Sequence, residues 1–502
     1  MCGIVALWNA GSADVAATML RTIAHRGPDD FAVEQVGDGP GILGHSRLSI
    51  IGPDNGHQPI RDGGVAVVVN GEIYNHRELR AILGPHRFQT DSDSEAVLQL
   101  FDAARRGTVG ERWIDRLDGM FAFVLCDADK LIAVRDPLGI KPLYMARLGE
   151  GLAFASEVKA FDGIAVEEVA AVPPGHLFDT RSGLRRWHRM PHGAASAEAG
   201  LDVDGLAREL RLVLQEAVRK WSMSDVGFGA FLSGGLDSSI ISALANRELN
   251  GGLRTFAVGV DGSPDLGAAR SVAAHIGSEH HELRFTAEDI AGAFAEVIYH
   301  LESPDVDLVR SAVPTYFAAL LASRHVKVTL TGEGADELFA GYAYHKSYAG
   351  HPVALAQELT RSLGTMHNIN LQRVDRITMA QGLEARTPFL DRDLIAFAQT
   401  IPADLKLRQG PSGEVVEKWI LRTACEDLLP ADVVWRTKAQ FDEGSGMVGS
   451  LQQALRLAIG VDDEVDREHE GRFYRSLVTQ RYADPGRIFA TAGTWTSDRI
   501  VA

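Results

Sequence analysis

Cysteine is scarce in this chain: Cys2, Cys126 and Cys425 are the three among 502 residues. Three thiols cannot build a disulfide framework, and their scarcity suits a reducing cytoplasm. An excess of positive charge is also missing. Lys and Arg number 50 against 67 Asp and Glu, a formal charge of −17, so neither a nucleic-acid surface nor an anionic-membrane surface is expected. No apolar run approaches the roughly 20 residues of a membrane span. The N-terminus has no basic segment leading into an apolar one, so no signal peptide is expected. Internal repeats and low-complexity tracts are absent. What is present is ordinary globular composition, 45% hydrophobic and 23% charged. At this length two or three domains are expected.

The first 160 residues read as short strands joined by turns. The β-branched run Val65–Val69 predicts a buried strand that stops at the turn dipeptide Asn70-Gly71. Met120–Leu125 and Leu131–Val134 predict two more strands, separated by the turn-like Asp127-Ala128-Asp129. Ser94–Ala104 is helical, with Val97, Leu98, Phe101 and Ala104 on one face. Periodicity fades between about Arg181 and Gly205, which predicts a linker. Beyond it strands and helices alternate: Phe228–Leu232, Ser238–Leu249, Thr255–Val260, Leu266–Ile276, His281–Phe285, Ala287–Leu301 and Val326–Leu330. Such alternation predicts a parallel, doubly wound α/β sheet with helices on both faces. The expected division is a domain over 1–185, a linker over 186–205 and a second domain over 206–502. The last 60 residues are polar and weakly patterned.

Cys2 directly follows the initiator Met. A lone cysteine is most simply an inert core thiol, and that is the reading for Cys126 and Cys425. If Met1 is removed, however, Cys2 carries a free α-amine with a pKa of about 7.7–8.0, able to act as base for its own thiol. Four further segments keep it company: His25-Arg26-Gly27-Pro28-Asp29, Arg47-Leu48-Ser49-Ile50, Asn70-Gly71-Glu72-Ile73-Tyr74-Asn75 and Asp91-Ser92-Asp93-Ser94-Glu95. Together they resemble the glutaminase domain of class II (N-terminal nucleophile) glutamine amidotransferases, an α+β sandwich with αββα layering. The resemblance implies that Cys2 attacks the glutamine amide, with the Asn70 side chain and Gly71 backbone N–H as oxyanion hole. It also implies that Arg47 holds the substrate α-carboxylate, that Glu72 and Asp93 hold its α-ammonium, and that Ile50 belongs to the glutamine pocket.

The second domain opens with a strand, then Ser233-Gly234-Gly235-Leu236-Asp237-Ser238-Ser239, then a helix. Two glycines let backbone approach a phosphate, and hydroxyls with helix N–H groups can cradle it. No Gly-Lys-Ser/Thr follows, so this is not a Walker A loop. The string resembles the pyrophosphate loop of ATP pyrophosphatases, which activate a carboxylate as an acyl-adenylate. Three later segments, Thr331–Tyr342, Gly382–Asp391 and Trp435–Phe441, resemble asparagine synthetase. With the N-terminal motifs, the chain resembles the glutamine-hydrolysing asparagine synthetase family from Cys2 to about Gly446. That family uses ATP and Mg²⁺. The resemblance implies an ATP site at Leu232, Ser233, Gly235, Asp237, Ser238, Val258, Thr331 and Gly332. It further implies Mg²⁺–pyrophosphate at Asp237 and Asp336, Lys438 neutralising pyrophosphate, and Glu333 assisting attack by ammonia. Family members are often dimers, which leaves a homodimer open.

The acceptor region, Glu302–Ser311, departs from the family. Asp307 and Leu308 stand where relatives carry two threonines, while the neighbouring Arg310 is retained. In the family this cluster is tied to aspartate, which makes aspartate the default acceptor. A carboxylate and an isobutyl group at those positions would disfavour a small dianion, so a less polar carboxylate is the alternative; drift without a change of substrate is the plainer reading. A ring-closing relative of the β-lactam synthetase kind lacks the N-terminal Cys and has Tyr at position 333. A non-catalytic homologue would have no need of the 233–239 loop, Asp336 and Lys438.

Overall fold

The computed structural model describes residues 2–191, 193–194, 196, 200–409, 414–436 and 447–493. Twelve strands build the N-terminal half: β1 (Cys2–Trp8), β2 (Asp30–Gln35), β3 (Gly41–Arg47), β4 (Ile60–Asp62), β5 (Val65–Ile73), β6 (Gly119–Cys126), β7 (Leu131–Arg135), β8 (Tyr144–Leu148), β9 (Gly151–Ala155), β10 (Glu167–Ala171), β11 (His176–Asp179) and β12 (Gly183–Arg186). They form two antiparallel sheets, ordered β10-β8-β9-β1-β3-β2 and β12-β11-β7-β6-β5-β4. Alternation along the strands dictates the layering. Ile4 and Ala6 share an apolar cluster with Val68, Ala122 and Val124 of the second sheet. Val5 and Leu7 point the other way, onto Ala16, Met19 and Leu20 of helix α1 (Ala13–Thr22). Across the second sheet, Val67, Val69 and Phe123 pack on helix α2 (Glu95–Arg105). The order is therefore helix, sheet, sheet, helix.

One expectation fails locally. Asn70-Gly71 is not a turn: β5 runs through it, paired without a break from Ala66↔Cys126 to Ile73↔Gly119. Gly71 takes φ 144°, and a Cβ there would lie 2.0 Å from the Met120 carbonyl oxygen, so the glycine serves close strand approach rather than a reversal.

β-Structure of the first half ends at Arg186, and helix α3 (Val203–Trp221) begins at the Asp202 cap, whose carboxylate accepts from Gly205 N at 2.9 Å. The second half is built on a five-stranded sheet, β13 (Phe228–Phe231), β14 (Arg254–Gly259), β15 (Glu279–Arg284), β16 (Val328–Leu330) and β17 (Glu384–Arg386), ordered β15-β14-β13-β16-β17 with every pair parallel. Phe256 and Val258 enter one apolar cluster and Ala257 the other, so helices cover both faces. Chain order reverses between β13 and β16, leaving a crevice at their C-terminal ends.

The two halves meet across buried charge. Arg26 pairs with Glu157 at 2.6 Å within its own half and with Asp375 of the other at 2.8 Å. Asp375 lies on helix α6 (Asn370–Met379), which follows α4 (Leu236–Glu248) and α5 (Val306–Ala322) in the same half. Arg376, next along, reaches Glu302 at 3.0 Å and donates to the Ser156 carbonyl at 2.9 Å. Glu302 in turn pairs with Lys159 and accepts from the backbone N–H groups of Val158 and Lys159. The Glu302 side chain is thus taken up by the seam. Each of these side chains is buried. Removing one partner strands the others, so Glu302→Gln is expected to cost about 3–5 kcal/mol in urea unfolding. A loss below about 1 kcal/mol would contradict that account of the seam.

Candidate functional site

Cys2 stands at the head of β1, opposite Arg47 of β3 in register. Its backbone N–H donates to Asn70 Oδ1 at 3.1 Å, joining the two stacked sheets, and its carbonyl accepts from Arg26 Nε at 3.0 Å. Asn70 is fully buried, and its Nδ2 has no acceptor among the described residues. Such an orphan donor costs about 1–3 kcal/mol, and a positioned oxyanion would satisfy it. Burial pushes the Cys2 thiol up, opposed by the Leu48 N–H and the Arg47 charge. The thiol therefore needs a base to become a nucleophile.

Arg47 splays over the next loop, donating to the carbonyls of Gly52 at 2.7 Å, Ile51 at 3.2 Å and Pro53 at 3.1 Å. Ile50 is buried with Leu48 against Val328 and Met379 of the other half. Asp93 accepts from Ile73 N at 2.6 Å, and burial pushes its carboxyl up to about 6. Glu72 is raised further by burial and by the charges of Asp93 and Glu384. Two buried carboxylates of this kind suit an ammonium ligand. Arg386, from β17, stands 3.6 Å from Glu72, so the second half closes the back of this pocket.

The crevice between β13 and β16 opens into a cavity of about 560 Å³. Its floor is the loop from β13 into α4. Gly234 takes φ 73°, and a Cβ there would strike Ala268 Cβ and Ala269 N, both at 2.6 Å. Ser233 and Ser238 hydroxyls lie 3.0 Å apart at the start of α4, beside its N–H groups. From β16 come Thr331 and Gly332; a Cβ at Gly332 would meet Asp237 Cβ at 2.8 Å. Leu232, Gly235 and Val258 complete the expected nucleotide residues on this wall, which also includes Glu333, Asp336, Asp307 and Arg310.

The remaining expected residues divide. Leu308 is 2% exposed in the apolar core and takes no part in the cavity wall. Asp307 does line the cavity, but paired with Arg467 at 2.6 Å. Lys438 lies outside the described residues. Another lysine stands where the acid groups meet. Lys418 Nζ lies 2.5 Å from Asp237 Oδ2 and 2.6 Å from Asp336 Oδ1, and these two charges outweigh burial to raise its pKa. Lys418 holds φ 56°, a left-handed conformation rare outside glycine. No motif or spacing marks it in the sequence. Arg373 was equally illegible; it reaches Glu333 at 2.5 Å from α6.

Asp237 Oδ1 is buried without a partner among the described residues. A cation already bridges the two aspartates. This hard-oxygen pair fits Mg²⁺ arriving with nucleotide phosphates to complete its shell.

Paired in one chain, a cysteine beside an orphan amide donor and a phosphate cradle at a sheet switch point define a glutamine amidotransferase joined to a nucleotide-using synthetase. The glutamine amidotransferase domain model matches residues 1–175, and the asparagine synthase model matches 209–354 and 348–499. An asparagine synthetase [glutamine-hydrolyzing] 2 of Oryza sativa subsp. japonica is 41% identical over 474 residues, spanning 89% of this chain and 78% of that protein. An asparagine synthetase [glutamine-hydrolyzing] 3 of Arabidopsis thaliana is 40% identical, spanning 89% and 79%. Among solved structures, the glutamine phosphoribosylpyrophosphate amidotransferase of B. subtilis gives a TM-score of 0.34 at 19% identity, over 50% of this chain and 64% of that one, a likeness too slight to argue from. The chain belongs to the glutamine-hydrolysing asparagine synthetases. No helix among the described residues is long and apolar enough to cross a membrane.

Proposed function

We propose that this chain makes asparagine from aspartate, ATP and glutamine, releasing glutamate, AMP and pyrophosphate. The observation that supports it best is the cavity at the β13/β16 switch point, where Ser233, Ser238, Asp237, Asp336 and Arg310 share one wall. Curated relatives are named for asparagine, and Leu308 is turned into the core, so a less polar acceptor is not favoured.

At the first site the Cys2 thiol, relieved of its proton by the α-amine once Met1 is removed, adds to the glutamine amide carbon. Asn70 Nδ2 and the Gly71 N–H receive the oxyanion. Arg47 orients the α-carboxylate and Asp93 with Glu72 the α-ammonium; ammonia departs, and water later frees glutamate. At the second site an acceptor carboxylate oxygen attacks the α-phosphorus of ATP, and pyrophosphate leaves along the Ser233–Ser238 cradle. Mg²⁺ bound at Asp237 and Asp336 would offset phosphate charge. Ammonia, passed internally from the first site, attacks the acyl carbon, Glu333 takes its proton, and AMP leaves. Lys438 is assigned to the pyrophosphate charge by family resemblance.

Two variants separate the sites. Cys2→Ala is expected to lose glutamine-dependent asparagine formation and keep the ammonia-dependent reaction; loss of both would contradict separable sites. Asp237→Asn is expected to cut pyrophosphate release by about 100-fold while sparing glutaminase turnover. Unchanged pyrophosphate release would remove Asp237 from the site. Because the Asp93 carboxyl is raised, it gains a proton as pH falls through about 6 and no longer attracts an ammonium. The KM for glutamine is expected to climb about tenfold per pH unit below that point, with Asp93→Asn flattening the profile. A KM constant down to pH 5 would contradict the assignment.

A further inference from the structure

The acceptor end of the cavity is shared with a helix near the C-terminus. Asp307 and Arg310 lie on the first turns of α5, and helix α7 (Arg467–Arg481) runs beside them. Asp307 pairs with Arg467, and Arg310 pairs with Glu470. Both links span 160 residues of sequence, so the helices meet in constant register with their charge order reversed. The Arg310 contact is bidentate: Nε donates to Glu470 Oε1 at 3.0 Å and Nη2 to Oε2 at 2.6 Å. Glu470 is fully buried, and the Tyr474 hydroxyl donates to its Oε1 at 2.9 Å. Arg310 keeps a quarter of its side chain exposed on the cavity wall.

A guanidinium has two edges able to grip a carboxylate. Glu470 occupies the side edge, Nε with one N–H of Nη2. The end edge, Nη1 with the second N–H of Nη2, has no hydrogen-bond partner among the described residues. The four side chains balance in charge, so this wall recognises an anion through aimed N–H groups rather than through surplus positive field. We propose that Glu470 is a positioning residue for the acceptor: it fixes Arg310 so that the end edge of its guanidinium meets the acceptor carboxylate, with Tyr474 fixing Glu470 in turn. The inference rests on Arg310 as a ligand of the acceptor, the reading given above.

Steady-state kinetics of Glu470→Gln test it, because the two effects of that change oppose each other. Loss of a negative charge beside the pocket would by itself lower the KM of an anionic acceptor. Loss of the bidentate grip raises it. The expected result is a KM for aspartate about tenfold higher, with kcat, the KM for ATP and glutamine hydrolysis within about twofold of the parent. Tyr474→Phe is expected to move the aspartate KM the same way by about two- to threefold, and it serves if Glu470→Gln does not fold. An aspartate KM that is unchanged or lower in both variants overturns the proposal, as does an equal rise in every KM. Arg310→Gln separates the underlying reading. If it leaves the aspartate KM unmoved, Arg310 is not an acceptor ligand and the proposal falls with it; if it raises that KM while Glu470→Gln does not, the positioning role alone is refuted.

Discussion

The buried charge at the seam between the two halves is the constraint on which both sites depend. Arg26, Lys141, Lys159 and Arg376 are gathered there against Glu157, Glu302 and Asp375, all buried. Burying ions is expensive, and an apolar seam of the same shape could hold at least as well. What the ions add is direction: each accepts a few partners at fixed angles, and here those partners include backbone groups on both sides. Arg26 grips the Cys2 carbonyl as well as Asp375, so Cys2 is anchored partly from the opposite half.

Helix α6 makes the same point from the other side. Arg373 and Asp375 are two residues apart, about 200° around a helix, and so face nearly opposite directions. Arg373 reaches Glu333 in the β13/β16 cavity, and Asp375 reaches Arg26 behind Cys2. β17 repeats the device: the Arg386 carbonyl accepts from Thr331 N at 2.8 Å in the cavity loop, while its side chain stands against Glu72. Two short elements thus touch both the Cys2 site and the β13/β16 cavity at once, which ties the two together.

Much of this was legible beforehand. Period-two and helical runs located most strands and helices, because local burial pattern reflects local packing. The Ser233–Ser238 loop and the segments around Cys2, Asn70 and Asp93 stood out because their residues sit in short strings, and the structure gathers them at two places. Asn70-Gly71 misled, since the same dipeptide serves a tight reversal or a close strand approach. Leu308 misled because a helix turns adjacent side chains about 100° apart, and of this pair only Asp307 faces the cavity. Lys418, Arg373, Glu302 and Glu470 were silent. Each acts through a partner 40 to 181 residues away, and no local pattern encodes such pairs. Helix α7 was also missed, because a buried Glu470 interrupts the apolar stripe made by Tyr474 and Val478.

If the seam joins the two sites into one device, ammonia released at Cys2 should reach the acyl group without mixing with solvent. Asparagine synthesis from amide-¹⁵N glutamine in excess unlabelled ammonium measures this directly. The account predicts ¹⁵N in the product amide well above its share of the dissolved ammonia. Enrichment equal to that share would contradict it.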